Sequence, residues 1–541
     1  MADEVKITDA VPRSAPGAAE IGFSIPERSN ASTILFDNLA AGRGDRCAVT
    51  GPAGTRTYAE LCADAERYGA GLLSLGLQRG ERVLFFLDDT PAYPAALFGA
   101  IRAGLVPLLI NTLTPPDLLQ FYLADSGARA AICDAAFADR FTAAACQGTR
   151  LETLIITDGE PGTQTAVPAQ AAAAWLSGPA PNLAAADTHR DDMAFWMYSS
   201  GSTGRPKGIV HLQHDMAYTH ASYARHLLEL GESDVCFSVP KIFFAYGLGN
   251  SLTFPFSVGA SSVLLPGQPK PAAIFEAIAR YRPTVFFGLP TLYTALTKSP
   301  EATTADLCSL RLAVSAAEIL AAEIFNAWKA ISGLEIMEGL GSTEVLHIYL
   351  SNAPHTKKLG AAGKRVPGYE VVLKDGDGRE VNEGEEGILW VRGDSNSPSY
   401  WNRPDRTAET MREGGWIYTG DRFVRDADGF HFFRGRADDL VKVSGQWVYP
   451  LEVELCLADH PAVRECAVLA VAHENQLTAL KAFVVLSEGA AASVETTRLL
   501  QDYVKGRLLP YKYPRLVEYL GELPKTGTGK IDRQALLARK A

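Results

Sequence analysis

The 541 residues exceed what one hydrophobic core holds, so roughly two to four structural units are expected. Hydrophobic residues make up 47% and charged residues 21%, as in an ordinary globular protein, and a formal net charge of −11 argues against nucleic acid or an anionic membrane surface as a partner. The eight cysteines are widely spaced and no pair has CxxC spacing, so they indicate neither a metal site nor a redox motif and read as buried reduced thiols. The opening MADEVKITDA is acidic and carries no hydrophobic targeting segment, and no run is apolar enough for a bilayer; a cytoplasmic location is expected.

Residues 57–75 read as the first strong helix: Thr57 and Glu60 have capping-box spacing, and Tyr58, Leu61, Ala65, Tyr68 and Leu72 share one face. Short apolar runs follow at 82–87, 106–110, 129–133, 153–157, 284–288 and 311–315, alternating with helix-like segments. That alternation predicts an α/β fold in which parallel sheets are covered by helices. The Ala-rich stretch 167–186 reads as a surface connection or loose helix. After about Gly360, turn signals such as KDGDGRE and DADGF become dense, and segments 387–392 and 429–433 read as short antiparallel strands of a small β-rich unit. The last hundred or so residues mix strands (467–471, 481–485) with helices (451–458, 495–507), as in a compact α+β domain. A boundary near Gly435 divides the chain into residues 1–434 and 435–541.

Residues 193–198 are apolar and aromatic and read as a strand running into SSGSTGRPKG, residues 199–208. Glycines allow backbone N–H groups to converge on an anion, the hydroxyls add donors and Lys207 adds positive charge, a chemistry suited to a polyphosphate. The stretch is not a Walker A loop, and a plain Ser/Gly linker rarely follows a hydrophobic strand or contains PKG.

This loop resembles the signature of the acyl-adenylate-forming superfamily, which includes acyl-CoA synthetases, peptide-synthetase adenylation domains and firefly luciferase. Four further motifs occur in the family's order: Leu340-Gly341-Ser342-Thr343-Glu344, Tyr418-Thr419-Gly420-Asp421, Gly435-Arg436-Ala437-Asp438-Asp439 and PKTGTGK at 524–530. The resemblance implies a large N-terminal domain with two doubly wound sheets and a small β-barrel, plus a small mobile α+β C-terminal domain. It implies ATP and coenzyme A as co-substrates and Mg²⁺ as cofactor. Ser199, Ser200, Gly201, Ser202, Thr203, Gly204 and Lys207 would form the phosphate cradle, with Thr203 and Lys207 on the β- and γ-phosphates. Thr343 would reach the α-phosphate, and Glu344 would hold Mg²⁺. Alone, Glu344 would read as a solvated surface charge; the preceding Gly-Ser-Thr reverses that. Ala316, Ala317 and Glu318 resemble the adenine-contacting segment without its usual glycines. Leu340 stands where the family carries an aromatic residue against adenine. Asp421 would accept from the ribose hydroxyls with Arg436 nearby, and Lys530 would bridge the carboxylate and α-phosphate as a catalytic residue beside Thr343 and Glu344. Asp438 matches the hinge, and Ser444 and Gly445 a position lining the pantetheine tunnel.

The acyl pocket is expected around 243–249 and 341–348. FFAYGLG contains no carboxylate to pair with an amino-acid ammonium, which disfavours amino acids. Phe244 aligns with a family gate, and Ala245, Tyr246, Gly341, His347 and Ile348 suit a flat, mostly apolar slot. AYGLGN with GSTEVLHIY resembles benzoate–CoA ligases, so the expected substrates are an aromatic carboxylate, ATP and CoA. His347 either closes the slot or is a hydrogen-bonded core histidine. Another small or medium-chain acid, a carrier-protein thiol as acceptor, a luciferase-like oxygenase and an inactive adenylate binder remain open at this point, as does a monomer or homodimer.

Overall fold

In the computed structural model the described residues are 17–160, 165–199, 206–317, 320–437, 441–443, 446–472, 478–525 and 531–539. They form two compact units. One runs through Val372 and includes Trp390–Tyr418 and Gly429–His431; the other comprises Leu373–Leu389, Thr419–Asp428 and the chain from Phe432 onward.

The first unit is built on two large sheets, each with helices, as the apolar runs predict. In the seven-stranded sheet the order is Ala169–Ala171, Thr153–Ile156, Ala130–Cys133, Arg82–Phe86, Val106–Leu109, Met193–Ser199 and Lys207–Leu212. All neighbours are parallel except the last pair, which is antiparallel with Ser199 opposite Lys207. The central strands, such as Val106–Leu109 and Ala130–Cys133, are buried and apolar throughout because both faces are covered. The strand Lys207–Leu212 extends the sheet beyond what the sequence pattern indicates.

The helix Tyr58–Ser74 starts where the capping box places it. Glu60 N–H donates to Thr57 Oγ1 at 3.2 Å and Thr57 N–H to Glu60 Oε2 at 2.8 Å, a cap typically worth about 1 kcal/mol. Tyr58, Leu61, Ala65, Tyr68 and Leu72 are all buried, as their shared face requires. The stretch 167–186 carries only the short strand Ala169–Ala171 and the single turn Ala173–Leu176.

The nine-stranded sheet has a parallel centre, Cys47–Thr50, Ser261–Val263, Val235–Ser238, Val285–Gly288, Leu312–Ala316 and Ile336–Gly341. Antiparallel strands flank it: Arg56–Thr57 at one edge, Ile348–Ser351 and Lys364–Arg365 at the other. In open parallel sheets ligands gather beyond the carboxyl ends of the strands. Here those ends deliver residues 239–245, 317 and 341–344, three of the segments the sequence singles out.

The turn-rich region forms a five-stranded sheet ordered Glu370–Lys374, Glu386–Arg392, Trp416–Arg425 and Met411–Arg412, with His431–Arg436 also paired to Trp416–Arg425. The strand His431–Arg436 begins two residues later than the pattern suggests, because Gly429 has φ +83° and completes the preceding turn. In the second unit Val463–Ala472 pairs antiparallel with Thr478–Leu486, which pairs parallel with Leu516–Tyr519. Helices Pro450–Ala458 and Val494–Lys505 cover a core that includes Val453, Leu457, Val468, Val484, Leu500 and Val504. None of the eight cysteines is disulfide-bonded, and no helix among the described residues is long and apolar enough to cross a membrane.

Candidate active site

The strands Leu312–Ala316 and Ile336–Gly341 run side by side with Ala316 opposite Gly339. Their ends therefore bring Ala316 and Ala317 next to Leu340 and Gly341. Ala317 is exposed with φ +72°, a left-handed conformation uncommon for a residue with a side chain and found preferentially at functional sites.

Beyond Gly341 the chain makes the 3₁₀ turn Thr343–Val345 and returns as Ile348–Ser351, with Gly341 opposite Ile348. Leu346, at φ +71°, closes that turn. Three successive carbonyls of the turn are captured by other segments. His211 Nε2 donates to the Thr343 carbonyl at 2.9 Å. Ser397 N–H donates to the Glu344 carbonyl at 2.7 Å, and Ser395 Oγ to the Val345 carbonyl at 2.8 Å. His211 is fully buried, stacks on Phe195 at 5.1 Å, and its Nδ1 lies 2.9 Å from Asp215 Oδ2. Since a carbonyl only accepts, Nε2 carries a proton, and Asp215 fixes the ring that presents it. The Thr343 and Glu344 side chains thus project from a turn whose backbone is anchored on all sides.

The Glu344 carboxylate accepts from Tyr400 Oη at 2.8 Å, and the Lys207 ammonium lies 4.2 Å from the centre of the same tyrosine ring. The strand that begins at Lys207 and the Thr343–Glu344 turn therefore meet at one side chain. No group of three or more His, Cys, Asp or Glu side chains among the described residues forms a metal cage. One partly exposed carboxylate fits Mg²⁺, which is commonly held by one or two carboxylates with waters and substrate phosphates supplying the rest.

In the segment expected to line the acid, Ala245–Leu248 is α-helical, Gly249–Thr253 forms a π turn and Phe254–Val258 resumes the α-helix. Such π segments recur at functional sites. Phe244, half-buried and edge-on to Phe243 at 4.8 Å, precedes the first turn, followed by the buried Ala245. Tyr246 lies 5.6 Å from His347, Phe254 4.5 Å and Tyr223 5.4 Å, ring centre to ring centre. Gly249 makes this possible: a Cβ there would stand 2.5 Å from His347 Cδ2. His347 is only 3% exposed, and neither ring nitrogen has a partner in hydrogen-bond geometry. Burial drives its pKa down to about 3, so the ring is neutral among aromatic neighbours. Ile348, next in the chain, is buried opposite Gly341.

A buried network tethers the start of this region. Lys241 Nζ donates to Asp88 Oδ1 and to the Leu265 carbonyl, both at 2.7 Å, and Ile242 N–H donates to Asp89 Oδ1 at 3.2 Å. Burial raises Asp89 to about 7. Glu338, on the strand leading to Gly341, is likewise raised by burial from 4.5 to about 7 and accepts from Leu320 N–H at 3.2 Å. A carboxyl whose folded pKa exceeds its unfolded value makes stability fall as pH rises through the window between them, here about 4.5 to 7, with the cost complete above it. Glu338→Gln is therefore expected to stabilise the protein by on the order of 2 kcal/mol at about pH 8 and to leave it unchanged at about pH 4. Denaturant titrations at both pH values check this; an unchanged difference between them would contradict it.

In the second unit Arg436 Nη1 donates to Asp421 Oδ1 at 3.0 Å and to the Thr419 carbonyl at 2.9 Å. Gly420, at φ +72° within the strand Trp416–Arg425, leaves room for the Arg436 guanidinium. The expected proximity of Asp421 and Arg436 is what the structure contains. Ser200, Gly201, Ser202, Thr203, Gly204, Glu318, Asp438, Ser444, Gly445 and Lys530 lie outside the described residues; Ser199 ends its strand opposite Lys207. Sequence reasoning missed His211, Asp215, Ser395, Ser397, Tyr400, Lys241 and the Asp88–Asp89 pair. Only the i, i+4 spacing of His211 and Asp215 in HLQHD offered a signal.

The model of the family described as AMP-binding enzyme matches residues 36–401, and that of the AMP-binding enzyme C-terminal domain matches residues 452–530. The chain belongs to the AMP-binding enzymes. More particularly, it is 42% identical over 514 residues to a benzoate–CoA ligase of Thauera aromatica, covering 94% of this chain and 96% of that one. Among solved structures, a benzoate CoA ligase from Burkholderia xenovorans LB400 superposes with a TM-score of 0.85 at 40% identity, covering 94% of this chain and 99% of that chain. The anthranilate CoA ligase AuaEII in complex with anthranoyl-AMP gives 0.88 at 37% identity, covering 95% and 97%.

Proposed function

We propose that the protein ligates benzoate, or a closely similar aromatic carboxylate, to coenzyme A at the expense of ATP. In the first step a carboxylate oxygen attacks the α-phosphorus of ATP and pyrophosphate leaves. In the second the thiol of coenzyme A gives up its proton and attacks the acyl carbonyl, and AMP leaves. A carboxylate is a poor electrophile, and the mixed anhydride gives it a good leaving group.

The hydroxyls and amides of residues 199–204 cradle the triphosphate, with Thr203 and Lys207 on its outer phosphates. Thr343 donates to the α-phosphate. Glu344 would hold Mg²⁺, which when bound would neutralise phosphate charge. Ala316, Ala317, Glu318 and Leu340 line adenine; Ser342 belongs to the same nucleotide wall. Asp421, oriented by Arg436, accepts from the ribose. Lys530 bridges the carboxylate and α-phosphate during the first step. Residues 435–541 then turn about Asp438 relative to residues 1–434, and Ser444 and Gly445 line the path of the thiol.

The observation that carries the choice of acid is the surround of His347: a neutral ring among Tyr223, Tyr246 and Phe254, beside a segment without a carboxylate. Such a wall suits a flat apolar ring and offers nothing to an ammonium. The relatives named for benzoate and anthranilate are consistent with it. With ATP, Mg²⁺ and CoA, benzoate is expected to yield AMP and acyl-CoA far faster than hexanoate or phenylalanine. Preferred use of a medium-chain fatty acid would refute the aromatic assignment, and AMP formation without a CoA thioester would refute the acceptor.

A further inference from the structure

Tyr400 is 3% exposed and held from several directions. Its N–H donates to Thr407 Oγ1 at 3.0 Å, it forms an antiparallel bridge with Ile209, and the next residue's N–H donates to the Gly208 carbonyl at 2.8 Å. Trp401 in turn packs on Trp196 at 4.4 Å. The phenol ring is thus fixed to the strand that begins at Lys207, with Lys207 Nζ over its face and Glu344 Oε1 at its hydroxyl.

We propose that Tyr400 is a positioning residue of the phosphate site, holding Lys207 and Glu344 on separate parts of one neutral side chain so that each keeps its charge available to the metal–triphosphate. The inference rests on the reading that these two residues serve the ATP phosphates. An ammonium and a carboxylate facing one site with nothing between them tend to pair with each other, and incoming phosphate and metal would first have to part them. A ring face holds an ammonium more weakly than a carboxylate does, and a phenol holds a carboxylate more weakly than an ammonium does. Both contacts yield to phosphate oxygens and a divalent cation, while still fixing where the two charges stand before the ligand arrives.

The test is calorimetric binding of Mg²⁺ with α,β-methylene-ATP to the full-length chain, its Tyr400→Phe and Glu344→Gln variants and the double variant. Tyr400→Phe keeps the ring and removes only the hydroxyl. Because a hydrogen bond to a charged group is lost, Kd is expected to rise roughly three- to tenfold, with a matching rise in the Mg²⁺ concentration needed for half-saturation. On the Glu344→Gln background the same change is expected to add almost nothing, because the hydroxyl acts through that carboxylate. Thioester formation from supplied benzoyl-adenylate is expected to be unchanged. Normal binding by Tyr400→Phe while Glu344→Gln binds weakly would overturn the inference and leave the phosphate-site reading standing. Additive losses in the double variant, or equal slowing of thioester formation, would reduce Tyr400 to a packing role. Normal binding by Glu344→Gln itself would overturn the phosphate-site reading and the inference together.

Discussion

Lys530→Ala is expected to slow formation of the acyl-adenylate by about 10²- to 10³-fold while leaving thioester formation from supplied benzoyl-adenylate nearly untouched. The first half-reaction brings two anions, a carboxylate and an α-phosphate, into bonding distance, and charge builds on the phosphate oxygens as pyrophosphate leaves. A cation reaching both groups lowers that barrier and has no counterpart in the attack of a thiol on a carbonyl. The residues around PKTGTGK are suited to carrying it. Lys525 and Ile531 form an antiparallel bridge, Asp532 N–H donates to the Pro524 carbonyl at 2.8 Å, and Arg533 pairs with Glu454 at 3.0 Å. Both ends of the lysine segment are thereby tied to the second unit. Pyrophosphate release and benzoyl-adenylate consumption, measured separately, decide the matter: equal slowing of both would remove Lys530 from its assigned role.

Gly341→Ala is expected to cost at least about 10²-fold in adenylation together with roughly 1–3 kcal/mol of stability. The cause is local. A Cβ at Gly341 would stand 2.5 Å from the carbonyl oxygen of His347 and 2.7 Å from its carbon, and both are backbone atoms that cannot swing aside. Relief requires the strands ending at Gly341 and starting at Ile348 to part, which shifts the Thr343–Glu344 turn on one side and His347 on the other. Thermal unfolding and ATP–pyrophosphate exchange read the two effects. A variant with normal melting and normal exchange would show that the turn tolerates displacement.

Local rules made much of this molecule legible. The capping box at Thr57 and Glu60, the buried face of the helix it starts and the doubly covered strands all depend on neighbours a few residues apart. The motifs were legible for a related reason, since each group proposed to face phosphate or ribose sits in a short contiguous stretch. What escaped was non-local. Cys47–Thr50 joins its sheet beside Ser261–Val263, across some two hundred residues of intervening chain. Tyr400 meets Lys207 and Glu344 through the fold alone, and SYWNRPD has no periodicity to announce it. The environment of His347 was undecidable from the sequence, because the rings around it come from Tyr223, Tyr246 and Phe254, which share no single helix face or strand with it.

The capture of three consecutive carbonyls by His211, Ser397 and Ser395 bears on how such an enzyme changes over generations. The fasteners grip main-chain atoms, so they are indifferent to the side chains that shape the acid's slot. On the proposed reading, substitutions at Ala245, Tyr246 or Ile348 would alter which acid is seated while the hydroxyl of Thr343 and the carboxylate of Glu344 keep their stations. The acid-facing side chains can then vary while the turn between them keeps its main-chain fasteners, so a lineage would trade one ring-bearing acid for another without relearning how to activate it.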